Sequence, residues 1–200
     1  MATRDIVLIG GSAGSVAPLR SIVASLGGLH GAVLVVVHMS PEGLNRLVPV
    51  LNGPGGLPAK EAADGDAIAP GMIVVAVPNR HLLVADGRLR LGDGPRENRA
   101  RPAIDPLFRT AAKAYGPRVV GVLLSGRLDD GTHGLAVIKA FGGVAVVQDP
   151  LEAKYPSMPR SAIDNVDVDH VLCAKDIGPL LLALNKESTR ATLDERSRLP

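Results

Sequence analysis

The chain has no tryptophan, and only two phenylalanines and two tyrosines in 200 residues. Aromatic rings therefore build neither the core nor a stacking platform for single-stranded nucleic acid, which needs exposed rings along a basic groove. The core has to come from Val, Leu, Ile and Ala within the 46% apolar share. There is one cysteine, Cys173, so an intrachain disulfide is excluded. It reads as a buried, inert thiol at a strand end. Neither charge sign is in large excess: the formal net charge is +2. Basic residues gather at Arg96–Arg101 and near the C-terminus, in stretches unlike a groove reader, so no nucleic-acid partner is expected. The longest apolar runs, such as "AVLVVV", fall far short of the roughly 20 residues that cross a bilayer. The opening "MATRDIVLIGG" has no basic segment ahead of a long apolar one, so no signal peptide is read. These absences leave a soluble, cytoplasmic chain long enough for one domain with a substantial core.

What is present alternates. "DIVLIG" and "AVLVVV" are apolar throughout, as in parallel strands covered on both faces. Between them Val16, Leu19, Ile22, Val23 and Leu26 have helical spacing, and Gly27-Gly28 stops the helix. A second helix is read over Leu44–Leu51, closed by "NGPGG", and "LPAKEA" as a third strand. "GMIVVAVP", "HLLVAD" and "RLRLGD" are punctuated by Pro-Asn and Asp-Gly and read together as a small antiparallel insert. "GPRENRARP" is a polar loop without periodicity, and Ile104–Tyr115 a helix. Alternation then resumes through "RVVGVLLSG", "GLAVIKAFG", "GVAVVQD", "MPRSAID", "VDHVLC" and "DIGPLLLALN". The expected fold is α/β: a doubly wound, mostly parallel sheet in a Rossmann-like three-layer arrangement with a small antiparallel hairpin insert. No repeat or linker divides it. Residues 1–185 are read as one folded domain, the part that carries any functional site, and 186–200 as a charged, flexible tail.

The glycine-rich turn "GGSAGS" fits neither the G-x-G-x-x-G dinucleotide fingerprint nor a P-loop. It does match G-x-S-x-G, as Gly10, Gly11, Ser12, Ala13 and Gly14, which places a serine on a tight strand-to-helix turn. Ser12 as a plain helix N-cap stands beside that reading. A nucleophilic serine needs a base. His38 ends the next strand, and parallel strands carry their C-terminal ends to one sheet edge. A strand-end histidine bonded to a loop carbonyl is the structural alternative. An orienting carboxylate is available in "LLSGRLDDGTHG", where Asp129 and Asp130 reach the same edge and one of them can cap the following helix. His133 lies nearby, as a bystander or a substrate contact. His30, His81 and His170 are read as surface or structural. No His, Asp or Glu pair has metal-ligand spacing, so neither a metal nor a cofactor is expected. The order Ser, His, Asp differs from the α/β-hydrolase order Ser, Asp, His.

The segments "IGGSAGS", "VVHMSPEGLNRL", "KEAADGDAIAPGMIVVAVPNRHL", "DGPRENRARPAIDPLFRTAA", "GVLLSGRLDDGTHGL" and "MPRSAI", in this order, resemble the catalytic domain of the chemotaxis protein-glutamate methylesterases of CheB type, from roughly Asp5 to Leu184. The resemblance assigns the nucleophile to Ser12, the histidine to His38 and the aspartate to Asp130 rather than Asp129. It implies a bacterial signal-transduction hydrolase. Such an enzyme removes methyl esters from γ-glutamyl side chains on the cytoplasmic helices of methyl-accepting chemoreceptors, through an acyl-enzyme, and can also deamidate glutamine. Ala13, Gly14, Met39, Arg127 and Met158 are expected around the oxyanion or the substrate.

Archetypal members carry an N-terminal phosphorylated receiver domain. This chain begins almost at its first strand, which implies either constitutive activity or control by a separate response regulator or kinase. The family loop Gly-Met-Gly-Asn-Asp reads Gly126-Arg127-Leu128-Asp129-Asp130 here, and Ala13 stands where Thr is common. "NRARP" is either a solvated loop or a place where Arg99 and Arg101 meet an acidic receptor surface. Two other functions fit the same fold: hydrolysis of a different ester or amide, and a non-catalytic docking module for signalling.

Overall fold

The computed structural model describes residues 3–40, 42, 46–53 and 56–196, with side chains as far as residue 186 in the last helix. Seven strands form one fully parallel sheet. They are β1 (Ile6–Gly11), β2 (Ala32–Val37), β3 (Ala59–Glu61), β4 (Met72–Val75), β7 (Val119–Leu123), β8 (Val144–Gln148) and β9 (His170–Leu172), in the order β3-β4-β2-β1-β7-β8-β9. The hairpin β5 (His81–Ala85) and β6 (Arg88–Gly92) forms a separate antiparallel pair.

The two cores follow from strand alternation. Ile6, Leu8, Leu34, Val36, Val74 and Leu123 point to one face, beneath α3 (Ile104–Tyr115), α4 (Thr132–Ala140), α5 (Ser157–Asn165) and the hairpin. Val7, Ile9, Val33, Val35, Ile73 and Val122 point to the other, beneath α1 (Val16–Ala24), α2 (Leu47–Leu51) and α6 (Ala174–Arg196). Strands buried on both faces have no polar side to show, which is why they read as unbroken apolar runs. The sheet ends on two three-residue strands, and β3 exposes Lys60 and Glu61. Short, charged edges discourage pairing with another chain.

Two expectations change. "GMIVVAVP" does not belong to the antiparallel insert: Met72–Val75 is an inner strand between β2 and β3. Its Ile73 and Val75 feed one core while Val74 and Ala76 feed the other, whereas a hairpin strand needs only one apolar face. The last helix, α6, continues beyond "DIGPLLLALN" into the charged C-terminal stretch, as far as Arg196. Cys173 is half-buried rather than buried. The second helix begins at Leu47 among the described residues; Leu44 and Asn45 lie outside them.

The chain leaves the central β1 for β2 on one side and later reaches β7 on the other. Such a reversal opens a crevice at the carboxyl ends of the strands, where open α/β sheets bind ligands.

Candidate active site

Ser12 follows the last residue of β1, in a turn held from several sides. Its amide donates to the Ser125 carbonyl at the end of β7 (3.0 Å). Ser125 is fully buried; its Oγ donates to the Ala13 carbonyl (2.9 Å) and accepts from the Tyr155 amide (3.0 Å). The Ser125 amide is itself held by Gln148 Oε1 (2.9 Å). Gly14 closes the turn at φ +78°, in the left-handed region that glycine adopts without cost. The cap position of α1 belongs to Ser15, whose Oγ donates to the Ser12 carbonyl (2.7 Å). Ser12 is therefore not the cap, and its hydroxyl has no hydrogen-bond partner among the described residues.

His38 follows β2, and its amide donates to the Gly11 carbonyl (3.1 Å), which draws it beside the end of β1. Its Nε2 lies 2.6 Å from Asp130 Oδ2. The histidine side chain is 21% exposed and the aspartate 1%, so one face of the imidazole is open while its anchor is dry. Asp130 accepts three further hydrogen bonds: from Asn98 Nδ2 (2.8 Å), the Ile104 amide (2.8 Å) and the Asp105 amide (3.1 Å). The last two are first-turn donors of α3, which have no partner within their own helix. Burial pushes the Asp130 carboxyl upward. The hydrogen bonds from His38, Ile104 and Asn98, with the attraction of His38, outweigh it and hold the group below its ordinary range. An ionised Asp130 fixes the proton on Nε2 and leaves Nδ1 as the acceptor.

Asp105 is the buried neighbour. Its Oδ1 accepts from the Gly131 (3.0 Å) and Gly134 (2.7 Å) amides, so it caps α4 from another helix, and its Oδ2 accepts from Asn98 Nδ2 (3.0 Å). Desolvation, with repulsion from Asp130, raises its carboxyl above the ordinary range. Neither Asp129 nor Asp130 caps α4 with its side chain.

A cavity of about 360 Å³ opens over these groups. It is lined by Ser12, His38, Met39, Arg99, Arg127 and Asp130, among others. The cavity thus gathers Ser12, His38, Asp130, Met39 and Arg127 of the predicted site. Ala13 and Gly14 lie in the adjoining turn, outside its lining. Met158 is fully buried; it packs behind Gly126 and presents no surface to the cavity. The Arg127 guanidinium lies 4.7 Å from the centre of the Tyr155 ring, a cation–π distance.

Sequence reasoning missed Asn98, Asp105, Ser125 and Gln148. None has a periodic signal, because each acts across the fold; an Asp in the first turn of α3 was the only local hint. His81 is structural: its Nε2 meets the Pro95 carbonyl (2.9 Å) and its Nδ1 accepts from the Ala103 amide (3.3 Å). His30 and His133 are exposed. No group of three His, Cys, Asp or Glu is placed to hold a metal among the described residues. No helix there is long and apolar enough to cross a membrane.

The fold and the cavity together define a parallel α/β protein with a serine, a histidine and a buried carboxylate at the switch point of its sheet. Residues 7–181 match the family model of the CheB methylesterases. A Leptospira interrogans protein, itself provisionally named protein-glutamate methylesterase/protein-glutamine glutaminase, is 38% identical over 186 residues, 92% of this chain and 96% of that protein. An Anaeromyxobacter dehalogenans protein-glutamate methylesterase/protein-glutamine glutaminase is also 38% identical over 186 residues, and the chain spans 51% of its length. The crystal structure of the Thermotoga maritima CheB methylesterase catalytic domain superposes with a TM-score of 0.85 at 31% identity, covering 92% of this chain and 99% of that one. The chain belongs to the CheB methylesterase family.

Proposed function

We propose that this protein hydrolyses methyl esters of γ-glutamyl side chains on the cytoplasmic helices of chemoreceptors. Ser12 is the nucleophile, His38 the base and Asp130 its anchor. The observation that carries the reading is the 2.6 Å contact between His38 Nε2 and the buried Asp130, beside an unengaged Ser12 on one cavity wall. Because Nε2 is committed to Asp130, Nδ1 takes the proton as Ser12 Oγ attacks the ester carbonyl carbon. The tetrahedral oxyanion is met by backbone amides of the Ser12 turn and the Arg127 loop. Collapse breaks the C–O bond to methoxide, which leaves as methanol with the proton from His38. Water, deprotonated by His38, then cleaves the glutamyl-enzyme and releases glutamate. A glutamine side chain follows the same path with ammonia as the leaving group, in keeping with the double name of the relatives.

The test is methanol release from methyl-labelled chemoreceptor membranes, wild type beside Ser12→Ala. Release by the wild type alone supports the proposal. No release from either folded protein, together with no labelling of Ser12 by a fluorophosphonate, points to a docking module instead. Labelling without release points to another ester or amide as substrate.

A further inference from the structure

The segment from Glu97 to Arg101 carries four polar side chains at the mouth of the cavity, and three are bound to the protein. Glu97 forms a two-point ion pair with Arg109 of α3 (2.9 and 3.0 Å). Asn98 donates to Asp130 and Asp105. Arg101 gives its N–H groups to Asn79 Oδ1 (2.7 and 3.1 Å) and to the Asp93 (3.0 Å) and Gly94 (2.8 Å) carbonyls. Arg101 is thus a loop anchor, with four of its five N–H donors committed to the protein. Arg99 is the fourth. It lines the cavity and has no hydrogen bond or ion pair among the described residues.

Its backbone makes the point sharper. Glu97 and Ala100 exchange amide–carbonyl hydrogen bonds (3.2 and 2.8 Å), and the two residues between them have positive φ, +48° at Asn98 and +62° at Arg99. Turns of this kind favour Asn followed by Gly. Asn98 fits; an arginine in the second place is held against its backbone preference, and such outliers gather where a side chain is used. Arg96 lines the same cavity, also unpaired among the described residues, and Arg127 enters it from the loop after β7, steadied over Tyr155. Three carboxylates around this loop are committed: Asp130 to His38, Glu97 to Arg109 and Asp93 to Arg80. Asp129 lines a different hollow, with His133.

A methyl ester is neutral and gives three guanidinium groups no charge to pair with. We infer that Arg99, with Arg96 and Arg127, binds carboxylates flanking the scissile ester, so that the substrate class is an acidic protein segment with free glutamates around the glutamyl methyl ester. This rests on the esterase reading above. Guanidinium matches a carboxylate in shape and charge, and does so without a large desolvation cost at an open rim. Each turnover leaves a new carboxylate on the segment, so hydrolysis at one position improves the segment as a ligand for the next.

Two fluorescein-labelled peptides test this, identical around one glutamyl methyl ester and flanked by Glu or by Gln. Binding is read by anisotropy on Ser12→Ala protein, and hydrolysis on wild type. The Glu-flanked peptide is expected to bind about tenfold tighter at low salt, as several exposed ion pairs allow. The preference should shrink when salt is raised to about 0.5 M. Arg99→Gln in the Ser12→Ala background should remove most of it, while Arg20→Gln, an exposed charge on α1, should leave it in place. Equal binding, or a preference that survives Arg99→Gln and Arg127→Gln together, overturns the inference. Wild type that cleaves both peptides at equal rates also overturns it and leaves the esterase reading intact. Wild type that cleaves neither, beside Arg99-dependent binding, supports the acidic rim and removes the esterase reading for this substrate.

Discussion

Asn98 Nδ2 stands 2.8 Å from Asp130 Oδ1 and 3.0 Å from Asp105 Oδ2, so one amide group holds two buried carboxylates apart. Its two hydrogens serve one oxygen of each, and the loop that carries it is the one that presents Arg99. Asn98→Ala removes a charge-assisted bond from the anchor of His38. We expect kcat to fall about tenfold, the usual scale for a hydrogen bond to a charged group. KM should move little, because both amide hydrogens of Asn98 are spent on Asp130 and Asp105. Steady-state kinetics on a soluble methyl ester would separate the two constants; a change confined to KM would contradict this account.

The neighbouring aspartates should differ sharply. Asp130→Asn keeps the volume but lets the imidazole adopt the wrong tautomer, and the loss should approach about 10,000-fold in kcat. Asp129→Asn should stay within about threefold, since an exposed side chain away from the cavity supports nothing there. Comparable losses at both positions would show that the anchor is misassigned.

The strands were legible because a parallel strand buried on both faces has no choice of residue type, and "DIVLIG" and "AVLVVV" leave no other reading. Ser12 and His38 were legible for a related reason: each follows a strand whose end is known once the sheet is parallel. Asp130 was harder, because six residues separate it from the end of β7. "GMIVVAVP" misled because Pro78-Asn79 and Asp86-Gly87 punctuate the hairpin beside it. Asn98 was silent, and Asp105 gave only the hint of an acid in a first helical turn, because their roles exist only after the loop before α3 has folded over the sheet.

The two buried carboxylates should bend the stability curve in opposite directions. Asp130 has a lowered carboxyl in the folded state, so the unfolded chain binds more protons between that value and the ordinary one. Its contribution is present above the unfolded value and is lost as pH falls through the folded one. Asp105 has a raised carboxyl, so the folded state binds more protons from the ordinary value up to the raised one. Stability there falls as pH rises. Asp130→Asn should flatten the first slope, and Asp105→Asn the second. Urea melts at closely spaced pH values would check both signs. An Asp105→Asn curve parallel to wild type above the ordinary carboxylate range would contradict the raised assignment.

Gly126 tests whether Ser12 is supported from beneath. A methyl group there would lie 3.0 Å from Ser12 Cβ and would collide with Met158 Sδ. Met158 is fully buried, so it has little room to retreat. Overpacking of this kind costs about 1–3 kcal/mol. Gly126→Ala should lower the melting temperature by a few degrees, about what that penalty gives for a domain of this size. It should lower kcat much more, because the methyl group presses on Cβ of Ser12, the proposed nucleophile. Adding Met158→Ala opens space on the colliding side. The double variant should recover part of the activity while remaining less stable than wild type, a coupling expected of residues in contact. Fluorophosphonate labelling of Ser12 across the four proteins of the cycle reads the serine's reactivity apart from turnover. If Gly126→Ala labels as fast as wild type, the packing between Met158 and Ser12 does not set the position of the nucleophile.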